Sequence, residues 1–232
     1  MSASSEARPS WAQAAERLLG LSPRLLRSDE IELARGLLYD VYYREQGWEP
    51  LQPNASGLRA DHERRRFEDE LDFVAVWVGL FARGGELVGV TRILERAALG
   101  RLEIERYQEL PPELIRDRVV VEANRVAVRG SHRGQIALAL LAIYCDWIAR
   151  QLGADRSIGT ASSRIVRGPA RAYGWRPAGL SFRYHPDDPE AVELIYYDFD
   201  ARHLRILGRW LALRLRRLVR RSRRRRAGRG AG

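Results

Sequence analysis

The chain has 232 residues, 45% of them hydrophobic, enough for one domain of ordinary size with a real core and short appendages. Its single cysteine, Cys145, excludes an internal disulfide framework and a multi-cysteine zinc site, and the absence of lysine among the forty basic residues excludes a catalytic or phosphate-loop lysine. The net charge of +10 belongs to one end: residues 201–232 carry thirteen arginines and no acid, and without them residues 1–200 stand at about −3.

The opening MSASSEARPSWAQAAERLLG begins polar and lacks the apolar core of a secretory signal. No run of about 20 apolar residues occurs, so no transmembrane helix is expected and the protein is expected to be cytoplasmic. Cys145, in LLAIYCDWI, then reads as a small buried helix residue rather than a nucleophile.

In chain order, residues 1–27 read as a lead, with a short helix from Trp11 to Leu19 capped by Ser10 and a break at Pro23. Ser28-Asp29-Glu30 caps an amphipathic helix. Its apolar Ile31, Ala34, Leu37, Leu38, Val41 and Tyr42 recur at three and four, and it stops near Gln46-Gly47. Residues 49–66, with two prolines and Arg64-Arg65-Arg66, read as a long polar loop. Residues 67–82 and 86–95, joined at Gly84-Gly85, form a strand hairpin. Turns or a short helix around Pro111-Pro112 follow. Then come a strand over 118–128, a loop over 129–134, a helix over 135–152, a strand from Ala154 to Gly159 and a helix from Ser162 to Tyr173. Two antiparallel strands, 177–184 and 192–199, complete a domain expected to span 28–200. The class is α/β, a mixed and largely antiparallel sheet flanked by helices, with at least one right-handed crossover.

Polar residues inside apolar strands carry the chemical signal, because a buried charge must be paired or face a cavity. Arg92 in GVTRIL, Glu122 and Arg125 in VVVEANRVAV, and Asp69 and Asp72 ahead of the first hairpin strand are the five such residues. They could be a salt-bridge network that knits the sheet. Glu122 could instead have a raised pKa and act as a general base towards an amine. In a flat strand residues 122 and 125 point to opposite faces, so a bulge near Ala123-Asn124 is required to bring both into one cleft. The loop Arg129-Gly130-Ser131-His132-Arg133-Gly134 opens a helix, and its N–H groups and arginines suit a phosphate. The four histidines show no ligand spacing, and no metal is expected.

Residues 201–222 read as a basic amphipathic helix. Leu204, Leu207, Leu211, Leu215 and Leu218 share a sector opposite Arg202, Arg205, Arg209, Arg216, Arg217 and Arg220. Residues 223–232 read as a disordered arginine-rich tail. Three readings stand for 201–226: an anchor on an anionic membrane surface, a helix packed on the domain or facing an acidic carrier protein, and, least favoured by the pattern, a nucleic-acid contact.

The ordered set Tyr42 and Trp48 in VYYREQGW, Asp69-x-x-Asp72, Arg92 in VGVTRIL and Glu122-x-x-Arg125 resembles the Gcn5-related acyltransferase superfamily. Within it, the set is similar to the acyl-homoserine-lactone synthase and N-acyl amino acid synthase branch, over roughly residues 35–185. Leu38 stands where the family has an arginine, and Ile136 where it has a further glycine. The resemblance implies an acyl thioester substrate, carried as the phosphopantetheine of acyl carrier protein or as acyl-CoA, and a small amine acceptor. It implies that Glu122 and Arg125 are catalytic, and that Trp48, Asp69, Asp72 and Arg92 shape the acceptor pocket and its lid. The pantetheine arm would lie along Val126 to Val128, its phosphate on Arg129, Gly130, Arg133 and Gly134, and an acyl tunnel would run past Trp77, Phe81 and Trp147. An acetyl-CoA-dependent N-acetyltransferase and a non-catalytic membrane adaptor on the same fold are the competing readings. A preference for long acyl chains tells against the first, and loss of function on changing Glu122 tells against the second.

Overall fold

The computed structural model describes residues 9–133 and 135–199. Residues 1–8, Gly134, the predicted basic helix 201–222 and the tail 223–232 lie outside the described residues. Helix α1 (Ser10–Leu19) forms where expected, but Ser10 is its first residue and not its cap, and Gly20 ends it in the left-handed region at φ 70°. Pro23 does not break the chain. It sits in β1 (Leu21–Leu25), an edge strand, and an edge tolerates its missing N–H. Residues 10–25, read from the sequence as part of a lead, therefore belong to the folded unit.

A 3-10 turn (Ser28–Glu30) enters α2 (Ile31–Leu38), which buries Ile31, Ala34, Leu37 and Leu38. The expected helix continues, but Tyr39–Glu45 is π-helical. The long loop is shorter than expected: β2 (Arg59–Asp61) and β3 (Arg66–Glu68) pair as a small hairpin. Arg66 ties it to its surroundings by reaching Asp61 across the hairpin, Glu68 on its own strand and Glu32 on α2, a set of charges that has no apolar periodicity to announce it.

Strands β4 (Val76–Ala82) and β5 (Leu87–Glu95) make the expected hairpin. Short helices α3 (Arg96–Leu99) and α4 (Pro112–Ile115) flank a 3-10 turn (Ile104–Arg106). Strand β6 (Val120–Val128), helix α5 (Gln135–Gln151) and strand β7 (Arg156–Ser162) form the one parallel crossover among the described residues. The next helical stretch runs from α6 (Ser163–Ile165) through a π-helical turn (Val166–Ala170) into α7 (Arg171–Tyr173) and stops at Gly174. Strands β8 (Arg176–Phe182) and β9 (Val192–Asp198) are antiparallel, with β9 inside and β8 at the edge. The seven-stranded sheet has the order β1-β4-β5-β6-β7-β9-β8, mixed and largely antiparallel as expected.

Helices α1 and α5 cover one face, where Ala12, Leu141, Tyr144 and Ile148 pack with Val78, Leu80, Val88 and Val121. On the other face Leu37, Leu38 and Phe67 pack on Trp77, Val90 and Ala127. Further along it, Leu102, Ile104 and Leu110 cover Leu94, Val120, Ile158 and Leu194. Trp77 and Phe81 are buried there, the Trp77 indole N–H donating to the Asp72 carbonyl at 3.0 Å, and Trp147 packs against the α5 side. These three aromatics pack within the two clusters that cover the sheet.

Candidate active site

Parallel pairing between β6 and β7 is short. Val120, Val121 and Glu122 match Arg156, Ser157 and Ile158, and beyond them the strands run on to Val128 and Ser162 without pairing to one another. Gly159 sits at this parting: a Cβ there would lie 2.9 Å from the Ala123 carbonyl oxygen, so the close approach needs glycine. Strand β6 also carries a bulge. Its register against β5 shifts between Arg92–Asn124 and Val90–Ala127, and Arg125 lies in the left-handed region at φ 52°. The bulge expected near Ala123-Asn124 thus sits at Arg125, and Glu122, Asn124 and Arg125 join one network as that expectation required.

Glu122 is 3% exposed. Its Oε2 accepts the Ile104 N–H at 3.1 Å and its Oε1 the Asn124 amide at 3.0 Å. Burial first, and then the negative charge of Glu103, push its carboxyl up to about 7, against the pull of those hydrogen bonds and of Arg92. Glu103 accepts from Asn124 at 2.8 Å, from Arg125 at 2.6 Å and from Arg92. Arg92 is wholly buried and also donates to Asp69 at 2.7 Å and Asp72 at 2.8 Å. Arg125 reaches Asp69 at 2.9 Å, and Arg35 reaches Asp72 at 2.9 Å.

Three guanidiniums therefore stand among four buried carboxyls, and Arg35 is shared with Glu32 at 2.6 Å, so full ionisation would leave negative charge uncompensated. A proton on Glu122 relieves it. Among the described residues, Glu122 is the carboxyl of the four that has no guanidinium within ion-pair distance. Asp69 is pushed up by burial, but Arg92 and Arg125 outweigh this and hold it at about 2. Burial and the neighbouring Asp69 raise Asp72.

Trp48 is 39% exposed and sits edge-on to Tyr42, ring centroids 5.5 Å apart. It joins none of the ion pairs above. The Tyr42 hydroxyl donates to the Val126 carbonyl at 3.0 Å, and burial pushes its pKa up to about 12. The Val126 side chain is exposed, whereas that of Val128 is buried against the α5 side. Arg129 pairs with Asp40 at 3.0 Å and Glu86 at 3.4 Å. The Gly130 N–H donates to both Glu45 carboxylate oxygens, at 3.1 and 3.0 Å, and Arg133 donates to the same carboxylate at 2.6 Å. The loop expected to hold an anion holds one from its own chain. Among the described residues no group of three or more His, Cys, Asp or Glu is arranged to hold a metal ion.

No family model matches the chain, and no curated protein matches it in sequence. Solved structures do match. TofI in a ternary complex with an inhibitor and MTA superposes with a TM-score of 0.55 at 22% identity, over 81% of this chain and 96% of that one. BjaI, a CoA-dependent acyl-homoserine lactone synthase with SAM and isopentyl-CoA, gives 0.58 at 18%, over 78% and 82%. FeeM, an N-acyl amino acid synthase from uncultured soil microbes, gives 0.55 at 15%, over 77% and 91%. The chain shares the fold of acyl-homoserine lactone synthases.

On this fold, five of the residues singled out from sequence, Asp69, Asp72, Arg92, Glu122 and Arg125, converge in one buried cluster; of four that went unnoticed, Arg35, Asn124 and Glu103 complete it and Glu45 sits apart on Gly130 and Arg133. Arg35 supplies an arginine one turn before Leu38. Its signal was legible, since a charged residue at the spacing of Ile31, Ala34 and Leu38 lies on an apolar helix face. Asn124 shares a strand face with Glu122 and was also findable by parity. Glu103 and Glu45 had no local signal: one precedes a 3-10 turn and the other ends a polar run, and only the chain path gives them partners.

Proposed function

We propose that this protein is an N-acyltransferase that moves a fatty acyl group from a phosphopantetheine thioester to the amine of an amino acid or related small molecule. The product is an N-acyl amino acid or an acyl-homoserine-lactone-like amide. One observation carries the reading: a buried carboxyl poised near neutrality, Glu122, at the point where β6 and β7 part. The fold likeness to BjaI, whose structure holds SAM and isopentyl-CoA, and to FeeM supports the two substrate classes.

In this mechanism the acyl donor lies along the unpaired edge of β6 at Val126–Val128, with its phosphate on Arg129, Gly130 and Arg133. Glu122, directly or through one water, takes a proton from the acceptor ammonium or amine. The amine nitrogen attacks the thioester carbonyl, a backbone N–H near Val126–Val128 stabilises the oxyanion, and the carbon–sulfur bond breaks as the proton lost from the attacking nitrogen passes to the sulfur, releasing the thiol. Asp69, Asp72, Arg92 and Arg125 hold the pocket wall, and Trp48 closes the acceptor side. Acyl carrier protein and acyl-CoA both carry the required arm. The thirteen arginines of residues 201–232 are proposed to hold the enzyme at an anionic membrane face.

The test combines two measurements. Lipid extracts of cells overexpressing the protein are compared by mass spectrometry with extracts from cells making Glu122→Ala. The purified protein is then assayed with acyl-CoA and acyl carrier protein thioesters from acetyl to long chains. New acyl amides are expected with long-chain donors, and a kcat/KM about 10² to 10⁴ lower for the variant. A wild type that makes no amide, or an equally active variant, overturns the reading; activity with acetyl-CoA alone replaces it by an acetyltransferase.

A further inference from the structure

The phosphate loop is occupied by Glu45, and this points to a selection step that rests on the donor seat proposed above. Both Glu45 carboxylate oxygens accept the Gly130 N–H, and Arg133 closes on one of them at 2.6 Å. Two convergent hydrogen-bond donors on one oxyanion are what a phosphate would find there. The seating is close: a Cβ at Gly130 would stand 3.0 Å from the Glu45 Oε2, so the carboxylate would have to shift by a few tenths of an ångström.

The same π-helical turn takes the other polar groups of the seat. Asp40 holds Arg129, and the Tyr42 hydroxyl caps the Val126 carbonyl. Asp40 and Glu45 are five residues apart, and π winding, with its i→i+5 bonding, lets both face the loop from one turn of Tyr39–Glu45. The seat and the lid are thus locked by charges that an incoming phosphate can replace.

We propose that Glu45 is a built-in competitor for the phosphate of the acyl donor, making it a specificity-determining residue that is exchanged when a phosphopantetheine-bearing thioester binds. The phosphate of the arm, a diester in acyl carrier protein and part of a diphosphate in CoA, brings at least one negative charge and two free oxygens to match those of Glu45, and the rest of the arm binds the groove beside it, so it takes the loop when present. A thioester that lacks the phosphate cannot win the loop. It gains only the groove, and Glu45 stays on Gly130 and Arg133. The loop therefore selects for the 4′-phosphopantetheine arm that acyl carrier protein and CoA share.

The experiment is calorimetric titration of the full-length protein and of Glu45→Gln with 4′-phosphopantetheine and with pantetheine, which differ only in the phosphate. Glu45→Gln is expected to bind 4′-phosphopantetheine about threefold to tenfold tighter, the scale of a partly exposed charge pair, and pantetheine with unchanged affinity. In an Arg133→Ala background the gain from Glu45→Gln is expected to shrink. Equal tightening of both ligands would mean that Glu45 merely holds a lid shut, and unchanged or weaker binding of 4′-phosphopantetheine would mean a structural ion pair; either overturns the proposal while leaving the donor seat intact. Failure of the wild type and variant to bind either ligand overturns the seat itself. Titration with CoA and with acyl carrier protein then separates the two sources of the arm.

Discussion

Glu122 concentrates the residue-scale chemistry. As the proposed general base it must be unprotonated, so with its carboxyl at about 7 the kcat/KM of the proposed acyl transfer is expected to fall as pH drops below about 7. Asn124 clasps Glu103 and Glu122 with one amide, and Glu103 adds to the pressure that keeps Glu122 protonated. Glu103→Gln should therefore move that acid limb downward, by about one pH unit, whereas a purely structural Glu103 would change the rate without moving the limb. Stability must respond in the opposite sense. Because the folded pKa of Glu122 lies above its ordinary 4.5, its contribution is fully present below pH 4.5 and is lost as the pH rises through 7. Glu122→Gln is expected to be stabilised relative to wild type more at pH 8 than at pH 5, by up to roughly 3 kcal/mol in urea unfolding, at 1.36 kcal/mol per pKa unit. An equal effect at both pH values would show that Glu122 titrates in the ordinary range. Asp69 works the other way: held at about 2, its contribution is present above 3.8 and is lost as the pH falls towards 2.

At the scale of elements, β6 organises the site. Its first half pairs on both sides and its second half on one side only, and the bulge at Arg125 turns the strand where that change occurs. At the last paired step Gly159 lets the Ala123 carbonyl of the neighbouring strand come close. Gly159→Ala would place a methyl 2.9 Å from that oxygen and 3.5 Å from the Trp175 ring, and both are held by packed structure. The variant is expected to lose about 1–3 kcal/mol in urea unfolding and to lower kcat/KM in the acyl-transfer assay, because the strands must spread under Glu122. Unchanged unfolding and unchanged rate together would mean that the strands yield without cost and that the close approach carries no function.

For the molecule as a whole, charge is divided along the chain. The sheet and its helices come from a segment near neutrality, and the arginines of residues 201–232 supply the whole excess. Deleting residues 201–232 takes the net charge from +10 to about −3. The shortened protein is expected to keep the thermal transition of the full chain and to lose sedimentation with phosphatidylglycerol vesicles. Binding by the full chain should fall steeply with salt, since exposed charges act over about 10 Å at 0.1 M ionic strength. Retention of vesicle binding without these residues would move the membrane surface to the domain, and loss of the thermal transition would make the segment part of the fold.

By itself the sequence determined the elements whose apolar period runs long enough to be read: the hairpin of β4 and β5, the strand–loop–helix of β6 and α5, and the helical start of α2. It also marked charged residues set in apolar strands, because burial of a charge demands a reason, and Asp69, Asp72, Arg92, Glu122 and Arg125 do converge. Pro23 misled because an edge strand accepts it. Only the tertiary structure decided the partners. Arg125 meets Asp69 across 56 positions of chain, and Gly130 meets Glu45 across 85. Local propensity has a reach of one or two turns, so it carries no information on such pairings. They follow from the order in which strands enter the sheet and from the bulge in β6 that aims Arg125 into the cluster.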